Sequence, residues 1–199
     1  MLVALVSGEI GAGKTTVCQK VVEAARARGF TCGGLLTPAL LEEGRKVGIL
    51  GVNLTGDERR VLARKDRDLG GPRVGCYYFT ADAFPWANAV LASAVKARCD
   101  LLVVDEIGPL ELIQGGGLAP ALDLLSAAPR ALVVVRRSLV DALLERLEKE
   151  RRASFATLRS GGPHSMISKV FVTTTSSRDS LPDEIVSWLF DPQSSHLTV

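Results

Sequence analysis

The apolar run Leu2 to Val6 leads straight into Gly-Glu-Ile-Gly-Ala-Gly-Lys-Thr at residues 8–15. Few folds accept a strand that ends in such a loop, because glycines at 8, 11 and 13 let successive backbone N–H groups turn inward as a nest for an anion. Lys14 adds a cation for the β- and γ-phosphates of a nucleoside triphosphate, and the Thr15 hydroxyl completes the coordination of Mg²⁺. The helix that follows aims its positive N-terminal end at the same charge. Gly8, Glu9, Ile10, Gly11, Ala12, Gly13, Lys14, Thr15 and Thr16 are the expected phosphate-binding segment, with Lys14 read as a solvent-facing loop lysine.

Apolar runs then alternate with helical patterns, which predicts an α/β protein of three layers, a mostly parallel central sheet with helices on both faces. Thr15 to Arg28 carries apolar residues at 17, 21, 22, 24 and 25, the spacing of one helical face, and Gly29 stops it. Gly33 to Thr37 reads as the second strand. From about 40 to 65 the helical period disappears; turn signals at Glu43-Gly44 and Thr55-Gly56-Asp57 predict an antiparallel β insertion. Asp66 to Arg73 reads as a loop and Val74 to Phe79 as extended. A helix over Ala83 to Arg98, a buried strand over Leu101 to Asp105 and a Gly-rich turn at 115–117 follow. The next expected elements are a helix at Leu118 to Ala127 with Pro120 in its first turn, a strand at Ala131 to Val135 and a helix at Leu139 to Glu150. Ala153 to Leu158 reads as a short strand, Ser160 to Pro163 as a loop and Val170 to Thr174 as a strand. A last helix spans about Asp183 to Leu189. A chain of 199 residues, 47% hydrophobic, can bury one substantial core. One domain over 1–190 with a flexible tail at 191–199 is therefore expected.

A phosphate loop binds nucleotide without deciding its fate. Leu101-Leu-Val-Val-Asp105-Glu106 supplies the second half, since the carboxyl ends of parallel strands share one rim with the loop. Asp105 is placed to hold Mg²⁺ through a coordinated water, and Glu106 to orient or deprotonate the attacking water. Asp105 to Gly108 also fits a DxxG pattern, whose Gly108 N–H can contact the γ-phosphate. The NKxD signature of guanine selection is absent; Thr174-Thr-Ser-Ser-Arg178-Asp179 occupies its place. Glu111 reads either as a second catalytic acid or as one half of a helix-edge salt bridge. Thr37 reads either as a mobile Mg²⁺ ligand or as a structural strand end. Hydrolysis also wants a cation over the transferring phosphoryl group, for which Arg45, Arg136, Arg137 and Arg178 are the candidates in cis.

Charge and cysteine usage exclude other classes. Lys plus Arg total 24 against 22 acids, so a net charge of +2 gives no pull toward nucleic acid or anionic membrane. Cys18, Cys32, Cys76 and Cys99 are scattered without a CxxC pair, which points to four reduced thiols and to neither zinc nor a disulfide framework. The N-terminal apolar run is too short for a signal segment, and no stretch approaches a membrane span. A soluble, cytoplasmic monomer is expected.

These pieces resemble the small P-loop nucleoside-triphosphatases, the family that includes the cancer-related nucleoside-triphosphatase and its thermophile homologues. The resemblance rests on Gly8 to Thr16, Gly34 to Thr37, Gly44 to Gly48, Val74 to Tyr77, Asp105 to Gly108 with Glu111, and Arg178-Asp179 before Leu181-Pro182. It extends to about Leu189. It implies a P-loop NTPase fold and Mg²⁺-dependent hydrolysis of the β–γ bond of several nucleoside triphosphates (ATP, GTP, CTP and UTP), with Lys14, Thr15, Asp105 and Glu106 in the roles above. Arg178 falls in a matching motif and is carried over as a nucleotide contact. This chain departs from the family at Pro38-Ala-Leu-Leu41, where charged residues are usual, and at Ser177, where asparagine is usual.

Two other readings use the same loop. A small-molecule or nucleotide kinase would close an arginine-rich lid, for which Arg151, Arg152 and Arg159 are available, over an acceptor held by the β insertion. A nucleotide-switched accessory module would use hydrolysis to time release of a protein partner.

Overall fold

The computed structural model describes residues 1–56, 58–157 and 166–191. In chain order the elements are β1 (Leu2–Ser7), α1 (Lys14–Ala27), β2 (Cys32–Leu36), β3 (Ala39–Glu42), β4 (Arg45–Asn53), β5 (Arg59–Arg64), β6 (Gly70–Val74) and β7 (Tyr77–Thr80). There follow α2 (Ala83–Lys96), β8 (Leu101–Ile107), α3 (Pro109–Leu112), α4 (Ala119–Leu124), β9 (Arg130–Val135), α5 (Val140–Thr157), β10 (Ile167–Val172) and α6 (Leu181–Phe190).

Strands that are apolar on both faces need cover on both faces, and β1, β8 and β9 are of this kind. Val3 and Leu5 point to a layer with Leu91, Leu122 and Leu143 from α2, α4 and α5. Their neighbours Ala4 and Val6 point the opposite way, to Val17 and Val21 of α1 and Ile185 and Leu189 of α6. Each fully buried Leu or Val contributes about 1.5–3 kcal/mol, so the two layers together hold the sheet. On α1 the periodic positions behave as read: Val17, Val21, Val22 and Ala25 are buried, with Cys18 beside them and Ala24 half-buried.

The sheet runs β10-β1-β9-β8-β2 in parallel, then continues through β4-β5-β7-β6 in antiparallel pairing, while β3 pairs with β4. The α/β, mostly parallel core is thus the expected one. β9 stands between the phosphate-loop strand and the strand that carries Asp105. Because all five core strands are parallel, the loop after β1, the acids of β8, Thr37 after β2 and Arg136 after β9 share one rim.

The antiparallel part is larger than the span 40–65. It runs from Ala39 to Thr80 and joins the parallel strands edge to edge through Leu35↔Asn53 and Leu36↔Val52. The second half of the expected loop Asp66 to Arg73 belongs to β6, which ends the sheet's antiparallel side. Pro72 is tolerated there because an edge strand need not donate on its outer side.

Ala153 to Leu158 is not a strand: α5 continues to Thr157, and Leu158 lies outside the described residues. No glycine, proline or asparagine interrupts the charged helix between Glu150 and Ala153, so the helix propagates. The loop 160–163, Arg159 and the tail from 192 also lie outside them. α6 begins at Leu181, with Pro182 in its first turn, and the expected strand at 170–174 starts earlier, at Ile167.

Candidate active site

Gly8 leaves β1 at φ 154°, and a Cβ there would lie 2.4 Å from the Thr173 carbonyl oxygen. Only glycine lets the loop pass this close to the end of β10. Gly13, at φ 90°, is the N-cap of α1, and the N–H of Val17 donates to its carbonyl at 2.9 Å. Lys14 is 9% exposed. It is therefore buried, contrary to the solvent-facing reading, and its Nζ donates to the carbonyls of Gly8 at 3.0 Å and Glu9 at 2.9 Å. Those bonds fold the ammonium back across the nest it is meant to serve.

One residue later, Thr15 Oγ1 donates to Asp105 Oδ1 at 3.3 Å, joining residues 90 positions apart. The other oxygen, Asp105 Oδ2, accepts the backbone N–H of Thr37 at 2.9 Å. Asp105 is 1% exposed, and burial pushes its carboxyl up to about 6; the Thr37 bond opposes that rise and the charge of Glu106 adds to it. The β8–β9 register advances by three residues on β8 and two on β9 between Val104↔Val133 and Ile107↔Val135. This bulge falls on Asp105 and Glu106, which re-aims consecutive side chains at the rim. The peptide bond between these two acids is cis.

The donor set fits Mg²⁺. A hydroxyl and a carboxylate 3.3 Å apart are the two protein oxygens such a hard ion takes while keeping water and phosphate for the rest of its shell. Among the described residues no group of three or more His, Cys, Asp or Glu gathers, as a cage for another metal would require.

Glu106 is half-exposed and accepts from Arg136 Nε at 3.3 Å, while Arg137 Nη1 lies 3.6 Å from Glu9 Oε1. Arg137 also lines a cleft of about 320 Å³ with Gly8 to Ala12 and Val172 to Thr175. Arg178 is brought to the loop, its Cδ 3.6 Å from where a Cβ on Gly13 would stand. Arg45 is not: it opens β4 opposite Glu42, on the antiparallel strands. Gly108 differs from the DxxG expectation, because its N–H is engaged by Glu111 Oε2 at 2.8 Å. Glu111, read as a second acid or as half of a salt bridge, is instead engaged by backbone donors. It is 6% exposed, and Oε1 accepts the N–H of Leu118 at 3.3 Å.

The turn carrying Arg178 holds itself together. Thr174 N–H donates to Ser177 Oγ at 3.0 Å and Ser177 N–H returns the bond to Thr174 Oγ1 at 3.1 Å. Two polar groups escaped the sequence reading. Ser7 and Thr173, 1% and 2% exposed, close β1 and start the turn after β10, and neither hydroxyl has a partner among the described residues. Only the pairing of β1 with β10, which sequence does not reveal, brings them behind the loop.

A glycine nest at the end of one parallel strand, its lysine and threonine, and an acid strand one place removed define a P-loop nucleoside-triphosphate-binding protein. The family model described as NTPase matches residues 3–186, and the chain belongs to that family of nucleoside-triphosphate hydrolases. It is 34% identical over 187 residues to the nucleoside-triphosphatase THEP1 of Methanopyrus kandleri, covering 94% of each chain. Against the protein of the same name from Methanosarcina barkeri it is 30% identical, over 94% of this chain and 97% of that one. The solution structure of a human cancer-related nucleoside triphosphatase superposes with a TM-score of 0.68 at 25% identity, over 96% of this chain and 99% of that one. No helix among the described residues is long and apolar enough to cross a membrane.

Proposed function

We propose that the protein hydrolyses the β–γ phosphate bond of ATP, GTP, CTP and UTP in the presence of Mg²⁺, releasing the diphosphate and phosphate. The meeting of Thr15 Oγ1 with the buried Asp105 carboxylate carries the reading, because it joins the phosphate nest to the acid strand at 3.3 Å. The nest and Lys14 bind the phosphate chain, and Thr15 and Asp105 would hold Mg²⁺, which when bound offsets the charge of the β- and γ-oxygens. Glu106, next along β8, takes the proton of the attacking water.

Breadth of base choice is supported by the turn at Thr174 to Ser177. The hydroxyls of Thr174, Ser176 and Ser177 are committed to one another, so they do not offer the buried, otherwise unpaired polar groups that sharp discrimination needs. The four cysteines are free thiols, three of them buried, which supports action in the reducing cytoplasm; we take the working form to be a monomer. The kinase reading gains no support from Arg152, which is paired with Glu148 one turn back on α5.

The test is phosphate release from each of the four nucleotides, with Mg²⁺ or with chelator and without any acceptor. We expect Mg²⁺-dependent release from all four, with kcat/KM values within about two orders of magnitude, and near-complete loss in Lys14→Ala. A single accepted nucleotide would overturn the broad reading, and turnover that needs an acceptor would make the protein a kinase.

A further inference from the structure

Arg136 and Arg137 are consecutive, yet each pairs with a different carboxylate of the site. Arg136 Nε lies 3.3 Å from Glu106 Oε1, on the strand with the buried acid, and Arg137 Nη1 lies 3.6 Å from Glu9 Oε1, inside the phosphate loop. Lys14 Nζ, bonded to the Glu9 carbonyl, and Thr15, bonded to Asp105, mark where the terminal phosphate belongs. One carboxylate stands on the phosphate loop and the other beside Asp105 on β8, and a guanidinium group pairs with each.

All four side chains are well exposed, 50% and 39% for Arg136 and Glu106, 68% and 79% for Arg137 and Glu9. Ion pairs this exposed hold weakly. A γ-phosphate competes for the guanidinium because it carries more charge than a carboxylate and, like one, accepts two parallel N–H bonds. The backbone beneath Arg136 does not have to move. Its N–H donates to the Ile107 carbonyl at 3.4 Å, which ties the residue to the end of β8, and its Nε stands 3.6 Å from where a Cβ on Gly108 would lie.

We propose that Arg136 is the cis transition-state cation of this enzyme, held on Glu106 until a γ-phosphate draws it off, and that this exchange frees the Glu106 carboxylate to act as base. The proposal rests on the hydrolytic reading above. In the step itself the water oxygen bonds to the γ-phosphorus while the bond to the β–γ bridging oxygen breaks. The water proton passes to Glu106, and the diphosphate leaves with the electron pair and the negative charge that Arg136 helps to stabilise. Arg137 neutralises Glu9 so that the triphosphate meets no uncovered carboxylate as it enters; its role is in binding.

The experiment compares wild type, Arg136→Ala, Arg136→Lys, Arg137→Ala and Glu106→Gln by single-turnover hydrolysis and by affinity for Mg-ADP with and without fluoroaluminate, a mimic of the transferring phosphoryl group. Arg136→Ala should lose about 10³-fold or more in kcat with little change in KM. It should keep Mg-ADP affinity, lose the tightening by fluoroaluminate, and recover part of its rate when guanidinium is added. Arg136→Lys should remain well below wild type, since a point charge does not replace the two-pronged contact. Arg137→Ala should raise KM and leave kcat within about tenfold.

Arg136→Ala that still tightens on fluoroaluminate would overturn the proposal, whatever its rate, because a residue that only positions Glu106 would behave that way. So would an Arg136→Ala, Glu106→Gln double variant no slower than Glu106→Gln alone. If wild type itself releases no phosphate, the hydrolytic reading fails; if wild type is active and Arg136→Ala matches it, this inference alone fails.

Discussion

Glu111 lies five residues beyond Glu106, and both of its carboxylate oxygens accept backbone N–H groups, those of Gly108 and Leu118. It therefore fixes the start of α3 and the approach to α4. Replacing it leaves two buried donors unpaired, at about 1–3 kcal/mol each. Glu111→Ala should thus lower the unfolding free energy measured in urea, while kcat of the folded fraction stays closer to wild type than that of Glu106→Gln. Glu106→Gln keeps size and polarity but cannot take a proton, so it should retain Mg-ATP while turnover falls about 10²- to 10⁴-fold. Asp105→Asn should instead weaken nucleotide binding and Mg²⁺ dependence together, because its oxygens meet Thr15 and Thr37. Normal turnover in Glu106→Gln would place the base elsewhere. Asp105, Glu106, Lys14 and Thr15 were legible as residue types at fixed spacing. The burial of Lys14 and the capping role of Glu111 were not, because both depend on which backbone groups the fold brings within reach.

On the antiparallel strands, Arg64 of β5 forks onto Glu42 of β3 at 2.7 and 2.8 Å and reaches Asp66 at 2.7 and 3.1 Å. The Arg64 guanidinium holds the Asp66 carboxyl down at about 2 and lowers Glu42 as well. A carboxyl depressed in the folded state contributes stability above its unfolded value, near 4, and loses it as pH falls toward the folded value. Arg64→Gln should therefore flatten the fall in stability between about pH 4 and pH 2 in denaturant titrations. An unchanged slope would show that the cluster does not couple to folding. The turn residues of this region announced antiparallel strands, but its extent was misjudged. β6 carries two glycines and Pro72, a poor strand composition, and pairing with β7 overrides it. On α5 the reverse held: Ala153 to Thr157 lacks turn residues before it, and continuation of an existing helix prevails over a short β-like window.

For the molecule as a whole, the phosphate loop's glycines, lysine and threonine and the apolar strand ending in Asp105-Glu106 by themselves point to nucleotide chemistry and a parallel α/β core. Those features are local: a nest, a period and a strand-end acid are each encoded within about ten residues. Strand order is not local. That β9 separates β1 from β8, and so delivers Arg136 to Glu106 and Arg137 to Glu9, follows from how crossover helices pack on both faces. Of the four arginines open as the phosphoryl cation, Arg45 and Arg178 stood ahead on paper because they fall in the resembling motifs; the sheet left Arg45 on the antiparallel strands, set Arg178 over Gly13 and put the 136–137 pair on the site's carboxylates. Tertiary structure alone decided which carboxylate each of them meets, because a side chain's partner across the rim is fixed by neighbouring strands far apart in sequence, and no spacing within one strand encodes it.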